Sequence, residues 1–116
     1  MSREFKFRVY SFVCKEFIYF DIYDYPQGIA GGVSEPQQYT GLKDKNNNPI
    51  YEGDIVKFSR LFEKERKIKE LKSFVRFDEG KFGFDLIGFN GMFFDLSDEC
   101  SIEVIGNTFE HSELLN

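Results

Sequence analysis

The chain opens on a period-two pattern. Phe5, Phe7 and Val9 alternate with Lys6, Arg8 and Tyr10, which predicts a first β-strand with one apolar face. A polar break at Cys14-Lys15-Glu16 leads into Phe17-Ile18-Tyr19-Phe20-Asp21-Ile22-Tyr23, apolar at both parities up to Asp21. Such a run predicts a strand covered on both faces, and the two segments together read as an N-terminal hairpin. Residues 24–37 collect Pro26, Gly28, Gly31, Gly32 and Pro36 with few charges, the composition of a loop. This loop offers no nucleophile, base or metal-ligand cluster, and it divides a hairpin lobe (1–37) from a β core (38–116) within one domain.

Further strands follow from the same alternation. Val56 and Phe58 flank Lys57, and Val75 and Phe77 resume the pattern before the turn Asp78-Glu79-Gly80. Phe82, Phe84 and Leu86 alternate with Lys81, Gly83 and Asp85, the cleanest half-buried strand of the chain. Asn90-Gly91 is a hairpin signal before Met92, Phe94 and Leu96, and Asp98-Glu99 turns the chain into Ile102–Ile105. The segment 61–72, LFEKERKIKELK, departs from this alternation, and Leu61, Ile68 and Leu71 make only a thin apolar stripe. A short charged helix and a long solvated hairpin both accommodate it, and its Glu, Lys, Arg and Leu content favours the helix.

Composition strengthens the β reading. Fifteen Phe and six Tyr make the chain 18% aromatic, while Ala occurs once, at Ala30. Aromatic residues suit a pleated, half-buried surface, and a chain so poor in Ala is a weak candidate for a helical fold. At 116 residues it fits one compact domain. Short strands between tight turns predict an all-β protein: a small SH3-like curled barrel from about Tyr51 to Asn107, with the hairpin lobe packed against it.

Charge and cysteine content narrow the function classes. Two Cys, Cys14 and Cys100, form neither a disulfide framework nor a CxxC metal pattern. No apolar run approaches the roughly 20 residues needed to cross a bilayer, and the start lacks the apolar core of a secretion signal. A soluble protein of a reducing cytoplasm is the expectation, with no membrane partner. The net charge of −5 is uneven: from Asp78 onward nine acids face one Lys, net −8, which leaves +3 for residues 1–77. The acidic part argues against that surface lying on phosphate, since Lys and Arg carry such contacts.

Candidate chemistry is sparse. Asp44-Lys45-Asn46-Asn47-Asn48-Pro49-Ile50 has the alternate oxygen donors that begin a calcium loop, but the positions requiring Gly and the closing Glu hold Pro49 and Ile55. A polar turn is the expectation there, and no metal or other cofactor is implied. His111, the only histidine, lies near Cys100 in sequence, with no orienting group or oxyanion hole evident beside them. The acid pairs Asp78/Glu79 and Asp98/Glu99 fall at turns, where solvation accounts for them. Lys64, Arg66, Lys67, Lys69 and Lys72 form the one basic segment able to contact nucleic acid, diluted by Glu63, Glu65 and Glu70 to net +2.

Two blocks, Gln38-Tyr39-Thr40-Gly41-Leu42-Lys43-Asp44 and Tyr51-Glu52-Gly53-Asp54-Ile55-Val56, together with Glu103-Val104-Ile105-Gly106-Asn107 near the end and the REFKFRV start, carry a resemblance. In them the chain resembles the YopX family of bacteriophage and prophage proteins. The resemblance implies a small all-β protein of a mobile genetic element, working in the bacterial host cytoplasm, with no catalytic residue to carry over. It marks Tyr39, Thr40, Gly41, Leu42, Asp44, Tyr51, Glu52, Gly53, Asp54, Gly106 and Asn107 as residues that hold the fold. Gly41 and Gly53 would take backbone shapes closed to other residues, Asp54 would accept backbone amides, and Tyr39 and Tyr51 would pack with their hydroxyls near solvent. The expected function is a non-enzymatic interaction module that binds a protein partner or its own copies. Nucleic-acid binding through 64–72 is the alternative.

Overall fold

The computed structural model describes residues 5–21, 23–24, 26, 31–62, 66–78, 80–85, 93–95 and 102–115, with the backbone only at 60–62, 67, 69, 85 and 93–95. The protein is all-β. Among the described residues nine strands, β1 (Lys6–Ser11), β2 (Glu16–Asp21), β3 (Gln37–Lys43), β4 (Pro49–Tyr51), β5 (Asp54–Phe62), β6 (Lys67–Asp78), β7 (Lys81–Asp85), β8 (Phe93–Asp95) and β9 (Glu103–Asn107), are followed by a 3₁₀ turn, Ser112–Leu115. No α-helix occurs among the described residues, so none is long and apolar enough to cross a membrane.

Two sheets share the chain. The first has the order β2-β1-β3-β4; the second, β8-β7-β6-β5-β9, curls into a half-barrel. The boundary between sheets thus falls after Tyr51 rather than at 37/38, because β3 pairs back onto β1 (Phe7↔Gln38, Arg8↔Gln37) and β4 folds onto β3. The N-terminal hairpin forms as its alternation predicts, with Lys6↔Asp21, Arg8↔Tyr19 and Tyr10↔Phe17 opposed. Its turn is closed by Lys15 N–H donating to the Ser11 carbonyl at 2.8 Å.

Two expectations give way. In segment 61–72 the described residues extend as strand rather than helix: 61–62 end β5 and 67–72 begin β6, with Leu61 opposite Ile68 and Phe58 opposite Leu71. The continuing backbone ladder and the packing of Leu71 on the core outweigh the helix propensity of its Glu and Lys, since most helix stability comes from a packed apolar face and this stripe is too thin to provide one. The run Phe17–Tyr23 is not covered on both faces either. β2 is the edge of its sheet, none of its residues is fully buried, and Tyr19 and Tyr23 are 59% and 91% exposed. Pairing needs put an apolar strand at an edge, and an apolar run does not by itself reveal that it lacks a second neighbour. Phe93–Asp95 forms the strand expected after Asn90-Gly91, whereas the turns at Asn90-Gly91 and Asp98-Glu99 lie outside the described residues.

The main core is built from Val56, Phe58, Val75, Phe84 and Ile102 of the half-barrel, and also Ile50 of β4, with Leu71, Phe82 and Val104 packed against it. Phe58 and Phe84 meet with centroids 4.5 Å apart, within the range where aromatic pairs add to burial. Backbone bonds tie the sheets further: Glu52 N–H to the Gln38 carbonyl, Gly53 N–H to the Val75 carbonyl and Thr108 N–H to the Gly53 carbonyl. Between the hairpin face and this junction lies a cleft.

Candidate functional site

Strand alternation aims Lys6, Arg8 and Tyr10 of β1, with Asp21, Tyr19 and Phe17 opposite them on β2, toward the junction of β4, β5 and β9. The space enclosed measures about 790 Å³, within the range of ligand-sized clefts. Tyr51, Asp54, Gly106 and Asn107 line its far side.

Arg8 sits at its floor and is only 4% exposed. A buried guanidinium is stable only when its donors are used. Nε donates to Gln37 Oε1 at 2.8 Å, while Nη2 donates to the Glu52 carbonyl at 3.1 Å and to Asp54 Oδ1 at 2.8 Å. The guanidinium carbon also lies 4.0 Å from the Phe17 ring centroid and 4.8 Å from that of Tyr51, a desolvated cation between two π-faces.

Asp54, 3% exposed, answers the charge and also closes the turn before β5, because Oδ2 accepts the Tyr51 N–H at 2.8 Å. Burial raises the Asp54 carboxyl above its ordinary range, and the Arg8 guanidinium and the Tyr51 amide hold that rise back. Burial likewise raises the Tyr51 phenol, with Tyr19 adding to the rise and Arg8 opposing it. Both Asp54 oxygens are occupied by structural donors. The pair is therefore built to fix the junction, and proton transfer through it would break the bonds that hold Arg8 and the turn.

Two flanking devices position the far wall. Asp44 Oδ1 accepts from Asn46 N–H and Asn48 N–H (2.9 and 2.8 Å), and Oδ2 accepts from Val104 N–H at 2.9 Å, stapling the 44–50 turn to β9 across 60 residues. Burial acts to raise this carboxyl, yet the amide bonds prevail and it stands below 3.8. The acid suggested as a calcium ligand thus spends its oxygens on its own turn and on β9. At the other end, Asn107 Oδ1 accepts from Phe109 N–H and Glu110 N–H (3.0 and 2.9 Å), and its own N–H donates to His111 Nδ1 at 3.2 Å. The His111 ring lies against Gly106, where a Cβ would meet it at 2.8 Å.

The motif residues thus gather where the sheets meet. Tyr51, Asp54, Gly106 and Asn107 line the cleft; Glu52 accepts the Gln38 N–H behind it, and Gly53, at φ +81°, passes under the Gln37 side chain. Tyr39 packs on Tyr51 (centroids 5.4 Å apart), and both are buried, 6% and 5% exposed, rather than reaching well into solvent. Thr40 Oγ1 donates to the Ile50 carbonyl at 2.7 Å. Gly41 (φ +87°) and Leu42 lie exposed at the far end of β3.

Of the basic segment, Arg66, Lys67, Lys69 and Lys72 fall within the β5–β6 hairpin. Arg66 turns the β5–β6 hairpin, Lys72 lies opposite Lys57, and Lys69 and Lys67 stand opposite Arg60 and Phe62. Lys64 lies outside the described residues, as do Cys100, Glu79, Asp98 and Glu99. Asp78 pairs with Arg76 at 2.7 Å. Sequence reasoning does not single out Arg8, Gln37, Phe17 or Tyr19 as site residues. Arg8 reads as the polar half of an alternating strand, and nothing local points to an acid 46 residues away.

Residues 31–116 match the family model described as YopX protein. No curated protein matches the chain. Among solved structures it is similar to the crystal structure of protein EF1440 from Enterococcus faecalis, with 24% identity and a TM-score of 0.63 over 99% of this chain and 100% of that one. At that identity the likeness speaks for the fold.

Proposed function

We propose that this chain, which belongs to the YopX family, is a non-enzymatic interaction module that binds a protein partner or further copies of itself. The phage or prophage origin and the bacterial cytoplasm that the resemblance implies form part of the proposal. The observation that supports it is the outer edge of β2. Among the described residues this strand ends its sheet, and its sequence, EFIYFD, contains neither Pro nor Lys, the residues that commonly blunt such edges. An extended segment can add to a free edge through main-chain hydrogen bonds.

Charge favours a foreign partner over a second copy. Antiparallel pairing of β2 with itself would set Glu16 against the second copy's Asp21 at each end, and like charges directly opposed are destabilising. A partner segment with cations at those positions meets no such cost.

Amide hydrogen exchange tests the reading. The β2 amides are expected to gain protection when the chain associates, with itself at high concentration or with a captured partner. A strict monomer by sedimentation up to about 1 mM, with β2 exchange unchanged in every isolated complex, would refute it. Nucleic-acid binding through the basic segment instead requires salt-sensitive retention on DNA or RNA that Lys67→Glu and Lys69→Glu weaken.

A further inference from the structure

The interaction reading leaves open what the cleft beside β2 recognises, and Arg8 supplies the answer. Three of its five N–H donors are used, one on Nε and two on Nη2. The two on Nη1 donate to no acceptor among the described residues. They are not sealed away, because Ser73 Oγ is the one fully buried side-chain polar atom without a partner among those residues. Arg8 is more than nine-tenths buried and lines the cleft, so Nη1 presents a preformed pair of donors to whatever enters. Water meets these two donors in the free protein, and an acceptor on a ligand can take its place.

We infer that the cleft is a binding site for an extended, basic peptide segment of a partner protein. In it a backbone carbonyl accepts from Arg8 Nη1, an aromatic or aliphatic side chain lies among Phe17, Tyr19 and Tyr51, and a Lys or Arg faces Asp21 and Glu110. This inference rests on the interaction reading and specifies its ligand. The acceptor is uncharged because Asp54 already neutralises Arg8, so an anion there would meet a carboxylate as well as the guanidinium. The lining carries two cations, Lys6 and Arg8, against three anions, Asp21, Asp54 and Glu110, a balance that repels phosphate and accepts a cation. The apolar wall includes Tyr19, 59% exposed, whose ring lies 5.5 Å from that of Tyr51 and 6.2 Å from that of Phe17 between centroids, an aromatic surface open to a guest. The cleft wall and the free edge belong to one strand, β2, so a segment paired along that edge lies beside the cleft.

Two-dimensional amide NMR of the full chain tests this with N-acetyl-Phe-Lys-amide, N-acetyl-Phe-Glu-amide and uridine monophosphate, each to about 10 mM, since so small a peptide binds in the millimolar range. The Lys peptide is expected to shift the amides of Tyr19, Tyr51, Gly106 and Asn107 saturably, and to bind up to about fivefold tighter than the Glu peptide, the scale of an exposed charge pair. Tyr19→Ala is expected to weaken it about threefold to tenfold, the worth of one aromatic contact. Asp21→Asn is expected to erase the preference for Lys. Arg8→Lys keeps the charge beside Asp54 but removes the second terminal nitrogen, and should abolish the shifts. Because that variant touches the buried pair, Tyr19→Ala and Asp21→Asn, both at exposed positions, decide the matter should it unfold. No saturable shifts at the cleft, equal or better binding of the Glu peptide or the nucleotide, or indifference to both exposed substitutions would overturn the inference. Protection of β2 by a partner in the face of that indifference would leave the interaction reading standing and remove this site.

Discussion

Removing one member of the Arg8–Asp54 pair should cost far more than removing both. Asp54→Asn keeps an oxygen for the Tyr51 amide but leaves a guanidinium that is 4% exposed with no counter-charge. Breaking a buried pair in this way costs about 3–5 kcal/mol. For a chain of this length that lowers Tm by roughly 12–20 °C. Arg8→Met alone strands Asp54, whose carboxyl burial already raises; without the guanidinium it rises further, so the Asp54 contribution to this variant's stability is greatest at acid pH and falls as pH climbs through that raised value. In the double variant, Arg8→Met with Asp54→Asn, no charge is buried. What is lost is the bonding of the Glu52 carbonyl and of Gln37, at about 1 kcal/mol each. The double variant should therefore cost about 2 kcal/mol, less than either single at about 3–5 kcal/mol, which makes the coupling energy at least about 4 kcal/mol. Urea unfolding at pH 7, followed by far-UV circular dichroism and, as the chain has no Trp, by tyrosine emission, measures all three; unchanged m-values certify the comparison. A double variant costing the sum of the singles, or an Asp54→Asn cost under about 1 kcal/mol, would refute the reasoning.

Asp44 titrates with the opposite consequence. Its carboxyl stands below 3.8, so its stabilisation is present above that value and is lost as pH falls through the lowered one. Acid titration of unfolding should show the parent chain's advantage over Asp44→Asn shrinking as pH falls below the ordinary aspartate range of about 4, and a gap indifferent to pH would contradict the staple. Gly53→Ala, at φ +81° and with a Cβ directed into the Gln37 amide, should cost about 1–3 kcal/mol and loosen Arg8, seen as a lower urea midpoint and faster exchange of the Tyr51 amide. Gly106→Ala should push His111 off Nδ1 contact with the Asn107 amide, shifting the His111 ring resonances while the half-barrel amides stay in place.

Strand order is the part of the fold least visible in the letters. Alternation at Phe5–Tyr10, Val56–Phe58 and Phe82–Asp85 identifies strands because one buried face leaves a period of two in the sequence. The same rule misjudges Phe17–Tyr23, since an apolar edge strand and an apolar central strand read alike. At 61–72, helix propensity points one way and the pairing of β5 with β6, fixed only in three dimensions, the other. The family blocks locate the far wall of the cleft at Tyr51, Asp54, Gly106 and Asn107. Its floor stays hidden because Arg8 looks solvated in an alternating strand, and its acid lies on the opposite side of a sheet boundary.

Ile50 sits in a three-residue strand of the first sheet, yet its side chain is 1% exposed inside the hydrophobic centre of the second. Neither half of the molecule can therefore melt by itself without tearing a hole in the other. A fragment beginning at Tyr51 would leave the half-barrel short of one plug, and a fragment ending before it would leave the hairpin without its anchor. Heat or denaturant should accordingly take the whole polypeptide down in one cooperative step, and attempts to dissect it into autonomous pieces should yield two unfolded ones.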